Sequence, residues 1–292
     1  MRGNPEAHEL VAPGSLDAVL DLLAKEPNVW TPIAGGTELM VAHAAGRLAA
    51  PKLVSLWDID ELRFIQTSTN EVSIGAGSTF LDLRANAMIA AEFPLLARAA
   101  SWIGSIANQS RATLGGNLVN GSPAADSSPA LLVYEAEVEI ISVRGRRRIP
   151  YCAFHTGYKK NVLAPDELLL AVHVPGRFGQ HRQYLRKVGT RRAMAISKVV
   201  LAGTALVSGG TVDEIRLAAA SLAPYPTRLP ATESALQGKT LDDAAACTAR
   251  TALLNEAKPI DDLRSTAAYR SQVAANLLDE FLSQLHGEAR TK

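Results

Sequence analysis

The 292-residue sequence predicts an α+β protein built in two parts. Two observations carry this. Strand-like runs follow one another through short polar turns, with helix-like runs in blocks of their own, whereas a doubly wound parallel sheet would alternate the two. In addition, Pro175-Gly176-Arg177-Phe178-Gly179 punctuates the chain where one run of strands ends and another begins.

The elements follow in order. Ser15 precedes Leu16, Val19, Leu20 and Leu23, an i, i+3, i+4, i+7 stripe with Asp17 in its first turn, so a helix runs to near Pro27. Residues 29–33 form a short strand that meets Gly35-Gly36, and 38–45 a short helix ended by Gly46. Strands are expected at 53–56, 64–66 and 72–76, the last two paired antiparallel around a polar turn. Helices are expected at 79–91 and 95–103, then a long irregular segment at 104–124 and a short helix at 125–132. A strand pair at 138–143 and 147–149 turns at Arg144-Gly145, and a strand at 168–174 closes the first part. Beyond the boundary, strands at 184–188, 197–207 and 212–222 precede helices at 241–256 and 264–285.

Composition excludes several classes. Thirty Lys and Arg against 29 Asp and Glu leave a formal charge of +1, so no bulk field favours nucleic acid or an anionic membrane. The run Arg144-Gly145-Arg146-Arg147-Arg148 has no interleaved aromatics and reads as a solvated hairpin tip. Cys152 and Cys247 are too few for a disulfide framework and have no C-x-x-C spacing for zinc or an iron–sulfur cluster. With no leader-like N-terminus and no long apolar run, a cytoplasmic, soluble protein is expected. The six histidines show no i, i+4 pair and there is no G-x-S-x-G elbow, so no metal site or catalytic side chain is assigned. Gly75-Ala76-Gly77-Ser78-Thr79-Phe80 lacks the third glycine of a dinucleotide fingerprint, and Gly238-Lys239-Thr240 has Glu233 where a Walker loop needs glycine.

Two glycine-rich loops remain, Ile33-Ala34-Gly35-Gly36-Thr37-Glu38 and Thr113-Leu114-Gly115-Gly116-Asn117, the second followed by Asn120-Gly121-Ser122-Pro123-Ala124-Ala125-Asp126. Each Gly-Gly is compatible with an ordinary tight turn. Alternatively, paired glycines adopt positive φ and admit a ligand to the bare backbone, so that N–H groups converge on phosphate oxygens. A helix N-terminus after the first loop would add amides. Asn117 offers donor and acceptor, and Asp126 suits a sugar hydroxyl. Two such loops together point to a dinucleotide.

These residues resemble a known family. A-G-G-T-[DE]-L near the N-terminus, then [ST]-x-G-G-N with a downstream S-P-x-x-D, is similar to the FAD-binding subunit of molybdenum hydroxylases, the xanthine dehydrogenase family. The likeness continues through Phe154-His155-Thr156-Gly157-Tyr158-Lys159-Lys160, Asp166-Glu167-Leu168-Leu169-Leu170, Lys187-Val188-Gly189-Thr190-Arg191-Arg192 and Arg264-Ser265-Thr266-Ala267-Ala268-Tyr269-Arg270. The resemblance implies a PCMH-type FAD-binding domain over 1–176, with an N-terminal lobe over about 1–56 and an antiparallel-sheet lobe over about 57–176. A smaller C-terminal α+β domain would follow over 180–292.

It also implies residue roles. Pro32, Ile33, Ala34, Gly35, Gly36, Thr37, Glu38 and Leu39 would wrap the FAD pyrophosphate, with Thr113, Gly116 and Asn117 binding from the second loop. Asp126 would hold a sugar or ribityl hydroxyl, Leu169 would give a backbone contact, and Ile103 would sit near the flavin. Lys187 matches a family lysine near the isoalloxazine or its phosphates, although on its own it also fits a surface salt bridge. Residues 188–198 correspond to a loop that governs access of NAD. The implied partners are a molybdenum-cofactor subunit and a [2Fe-2S] subunit, so the chain would be one subunit of three, passing electrons through FAD to NAD or another acceptor. Two alternatives stand beside this reading: a cofactor-free assembly subunit and a stand-alone flavin oxidoreductase. The two cysteines cannot supply the extra cluster that this subunit can carry in relatives reducing aromatic thioesters.

Overall fold

Three larger sheets organise the chain, seen here in a computed structural model that describes residues 3–191 and 194–289, without the side chains of 287–289. Arg192 and Ala193, part of the expected access loop, lie outside the described residues.

The first sheet contains β1 (Glu9–Val11), β2 (Trp30–Ile33) and β3 (Lys52–Ser55) in the order β1-β3-β2, all parallel. They run parallel because α1 (Leu16–Lys25) and α2 (Leu39–Ala44) lie in the connections and carry the chain back to the same end of the sheet. Ser15 caps α1 by accepting the Ala18 N–H, and the stripe Leu16, Val19, Leu20 and Leu23 is buried against Trp30 and Val54. β1 escaped the sequence reading: three exposed or half-buried residues carry no alternation.

The second sheet has the order β4-β5-β10-β6-β7, antiparallel, from β4 (Ile65–Thr67), β5 (Glu71–Gly75), β6 (Glu137–Ser142), β7 (Gly145–Pro150) and β10 (Leu168–Pro175). A small hairpin, β8 (His155–Gly157) and β9 (Lys160–Asn161), lies between β7 and β10. The near-continuous apolar run of β10 reflects a strand covered on both faces. Leu169, Val172 and Val174 join the core beneath the helices, while Leu168, Leu170 and Ala171 join the core around α1. Two consecutive residues share a face because the register shifts between Leu169 and Ala171, leaving Leu170 as the extra residue of a bulge.

The helices between β5 and β6 depart from expectation twice. The helix expected at 79–91 breaks into α3 (Phe80–Ala85) and α4 (Ala87–Glu92), because Asn86 both ends the first and caps the second through Oδ1 to the Ile89 N–H. After α5 (Pro94–Ala100), the segment expected to be irregular holds α6 (Ile106–Gln109) and α7 (Leu114–Asn120). Their poor helix formers, LGGNLVN in α7, hid them from a propensity reading. Tertiary contacts and the caps Ser105 and Thr113 override it, each accepting an amide of the first turn. α8 (Ser128–Val133) then leads, buried throughout, into β6.

The third sheet, β11 (Arg182–Val188), β12 (Val199–Ser208), β13 (Thr211–Ala220) and β14 (Thr227–Arg228), is antiparallel in chain order. It is followed by α9 (Pro230–Leu236), which the sequence reading missed, α10 (Asp243–Glu256) and α11 (Ala267–Ala289). Its two faces do different work. Val200, Ala202, Ala218 and Ala220 complete the core of the preceding helices, while Val199, Leu201, Ile215 and Leu217 pack on Leu278, Phe281 and Leu285 of α11. The period of two along β12 and β13 thus welds the third sheet to the rest of the molecule.

Candidate functional site

The two Gly-Gly pairs meet, but they are not alike. Gly35 packs so closely on the 111–112 backbone that a Cβ built there would stand 1.6 Å from the Arg111 carbonyl oxygen. Gly36 alone of the four adopts positive φ, +74°. No backbone carbonyl among the described residues takes the N–H groups of Gly35, Gly36, Thr37 or Glu38, so four donors are available along this loop. The short α2 that follows has no side-chain cap from Glu38, whose carboxylate instead meets Lys159 Nζ at 3.0 Å.

The second pair corrects the loop expectation. Thr113 is the N-cap of α7 and Gly115 and Gly116 are its helical residues, so neither has positive φ. Gly115 is glycine because α7 lies against β5's end: its N–H donates to Ala76 O at 2.8 Å and a Cβ would fall 2.6 Å from Ala76 Cβ. Gly116 has only Thr113 Oγ1 near a built Cβ and otherwise faces open space. Thr113 Oγ1 accepts the Gly116 N–H, and Asn117 Oδ1 accepts from Ser127 Oγ at 2.7 Å, which leaves the Thr113 O–H and the Asn117 amide nitrogen to donate outward.

Two cavities open between these loops. The first, about 490 Å³, is walled by residues 31–39, Ile103, Thr113, Gly116, Asn117 and Leu169. The second, about 930 Å³, runs past Trp102 to Asp126 and the loop before β12. Thr37, Glu38, Ile103, Ala112, Asn117 and Asn120 belong to both walls, so the two cavities adjoin at that seam, an arrangement suited to a ligand with two bulky ends joined by a polar middle.

At the base of the second cavity Asp126 is buried and bound on both oxygens: Lys187 Nζ stands 2.6 Å from Oδ2, and Ser197 Oγ donates to Oδ1. Burial pushes the Asp126 carboxyl above its usual range, against the opposing pull of the Lys187 ammonium and the two hydrogen bonds. The surface salt bridge that Lys187 could have made is thereby excluded, since its side chain is 10 % exposed. Lys187 lines neither cavity wall and reaches the site through Asp126. The arginines of the run at 144–148 each meet a carboxylate: Arg144 pairs with Asp166, Arg146 with Glu139, Arg147 with Glu167 and Arg148 with Glu71.

Comparison with known proteins names this architecture. Residues 6–177 match the FAD binding domain in molybdopterin dehydrogenase, and 184–285 match the CO dehydrogenase flavoprotein C-terminal domain. The chain belongs to this flavoprotein family. The xanthine dehydrogenase FAD-binding subunit of Escherichia coli O157:H7 is 30% identical over 272 residues, 92% of this chain and 93% of that one. The carbon monoxide dehydrogenase medium chain of Hydrogenophaga pseudoflava is 30% identical over 287 residues, covering 96% and 97%. In the solved carbon monoxide dehydrogenase of that organism lacking the Mo-pyranopterin moiety, the matching chain superposes with a TM-score of 0.91 at 28% identity, 96% of each chain being covered.

This FAD-binding subunit of a xanthine/CO dehydrogenase-type oxidoreductase therefore carries FAD as its cofactor, and the cofactor-free alternative falls. The residues present fit that group: four untaken amides, a left-handed Gly36 and a Gly116 clear of backbone line the first cavity. Sequence reasoning missed Trp102, Ser197, Ser221 and Arg270 in the second cavity wall. Arg270 lay inside a recognised motif and Ser197 inside the access stretch, but neither pattern told which partner each would hold. Among the described residues no helix is long and apolar enough to cross a membrane.

Proposed function

We propose that this flavoprotein passes electrons from the iron–sulfur clusters of a [2Fe-2S] partner subunit through FAD to NAD or another acceptor, while a molybdenum-cofactor subunit oxidises the organic substrate. The observation that carries the reading is the pair of adjoining cavities with donors at their shared wall and a buried Asp126–Lys187 pair beside the second. The names of the relatives, medium chains and FAD-binding subunits of dehydrogenases, support the division of labour.

In this reading residues 32–39, Thr113, Gly116 and Asn117 hold the pyrophosphate, Leu169 gives a backbone contact from β10, and Asp126 takes a sugar or ribityl hydroxyl. Ile103, at the seam, packs near the flavin. FAD supplies the redox chemistry when bound; the chain binds, orients and tunes it. Because Asp126 neutralises Lys187, the pair presents a dipole, and the favourable field of the lysine on a negatively charged reduced flavin is attenuated by its partner. We assign residues 1–176 to the FAD-binding domain, with lobes over about 1–56 and 57–176, and 180–292 to the C-terminal domain.

The test is anaerobic reduction of the assembled complex by its organic substrate, followed in the visible spectrum. Bleaching of the flavin bands after the clusters reduce is expected; clusters that reduce while the flavin stays oxidised would contradict the reading. Formation of NADH on adding NAD would assign the acceptor.

A further inference from the structure

The C-terminal motif around Arg270 has no role in the account so far, yet Arg270 is buried, 4% exposed, in the wall of the second cavity. Its guanidinium ties three chain segments together. Nη1 donates to Lys198 O at 2.9 Å and to Ser221 O at 3.4 Å, and Nη2 donates to Asp262 Oδ1 at 2.7 Å. Asp262 is held in turn by the N–H groups of Arg264 and Ser265.

Ser221, at the end of β13, is one of few non-glycine residues at positive φ, +66°. Such a backbone persists only where its surroundings over-determine it. Here they do: its N–H donates to Pro123 O at 2.8 Å, its Oγ donates to Ser197 O at 3.0 Å, and its carbonyl accepts from Arg270.

The consequence falls on Ser197. Two consecutive carbonyls, of Ser197 and Lys198, are gripped from outside by Ser221 Oγ and Arg270 Nη1, while the Lys198 N–H donates to Val188 O at 2.8 Å. With the peptide fixed on both sides, the Ser197 Cα–Cβ direction is fixed, and its hydroxyl is aimed at Asp126 Oδ1. We propose that Ser221 and Arg270 are positioning residues of the flavin site: they lock the 197–198 peptide so that Ser197 and Lys187 hold Asp126 from opposite oxygens in the geometry FAD requires. This rests on the assignment of Asp126 to the flavin. It gives the C-terminal domain a task at the cofactor, performed through its backbone.

Ser221→Gly provides the sharpest test, because glycine accepts φ near +66° without strain and removes the hydroxymethyl group that reaches Ser197 O. The full-length chain is titrated with FAD, the visible circular dichroism of the bound flavin is recorded, and the ligand-free chain is digested with trypsin to time cleavage after Arg191 and Lys198. Expected are a melting temperature equal to wild type, FAD affinity about tenfold weaker, and an altered flavin dichroism. Cleavage of the loop should be faster. Arg270→Lys, which keeps the charge but loses the fork, should move the same readouts further.

Wild-type affinity, dichroism and cleavage rates in both variants would overturn the proposal. So would a loss of affinity that merely tracks a fall in melting temperature with the flavin spectrum unchanged. If the wild-type chain itself takes up no FAD, the flavin assignment fails, and the cleavage rates still decide whether Ser221 and Arg270 lock the loop.

Discussion

Gly35-Gly36 and Gly115-Gly116 are the same dipeptide put to four different uses. In the first pair, Gly35 lets two backbones touch and Gly36 turns the chain through the left-handed region. In the second, Gly115 lets a helix settle on Ala76 and Gly116 keeps a cavity wall bare. All four line the first cavity, but Gly35 and Gly115 also hold the two ligand-facing segments against neighbouring backbone, whereas a side chain built on Gly36 or Gly116 would meet no backbone. A doubled glycine thus joins one structural and one binding requirement, and the order is the same in both pairs.

Single methyl groups added at these four positions separate the roles. Gly35→Ala should have the largest effect, about 3 kcal/mol or more of stability, because the clash is with backbone that no rotamer can relieve; a thermal melt near wild type would break the assignment. Gly115→Ala should cost about 2 kcal/mol, since the obstacle is Ala76 on a buried strand end, and its melt should fall between those of Gly35→Ala and Gly36→Ala. Gly36→Ala meets only Met40 and Ile33 side chains and should lose about 1–2 kcal/mol through the left-handed backbone, with a parallel loss of FAD affinity by titration. Gly116→Ala should leave stability within about 0.5 kcal/mol, helix propensity offsetting a small shift of Thr113 Oγ1, while FAD affinity falls about tenfold. A Gly116→Ala chain that melts early but keeps its flavin, beside a Gly115→Ala chain that does the opposite, would reverse the roles within that pair.

The comparison also shows what a sequence can convey. The stripe on α1, the two hairpins of the second sheet and the three long strands of the third were legible because burial imposes a period of 3.6 or 2 on the residues, whereas the two-residue β14 and the β8–β9 hairpin are too short to show one. Both glycine loops were legible as candidates, and ordered motifs tied them to a family whose match spans nearly the whole chain. The helical state of Leu114–Asn120 was not, because its stability comes from Ala76, Ser78 and the Thr113 cap and not from its own residues. Nor could spacing reveal that Lys187 and Asp126 neutralise each other, a contact across 61 positions made by the docking of the third sheet. The bulge at Leu170 and the left-handed Ser221 likewise belong to tertiary packing, which leaves no local signature.

The central claim is that bare backbone from both loops faces the FAD, and Gly116→Val tests it most directly, since that position opens onto the cavity and little else. Equilibrium titration of the purified chain with FAD, beside a thermal melt, is the measurement. The account predicts a melting temperature near wild type with FAD affinity lower by about a hundredfold, equivalent to about 2.7 kcal/mol. Wild-type affinity in a folded Gly116→Val chain would contradict it.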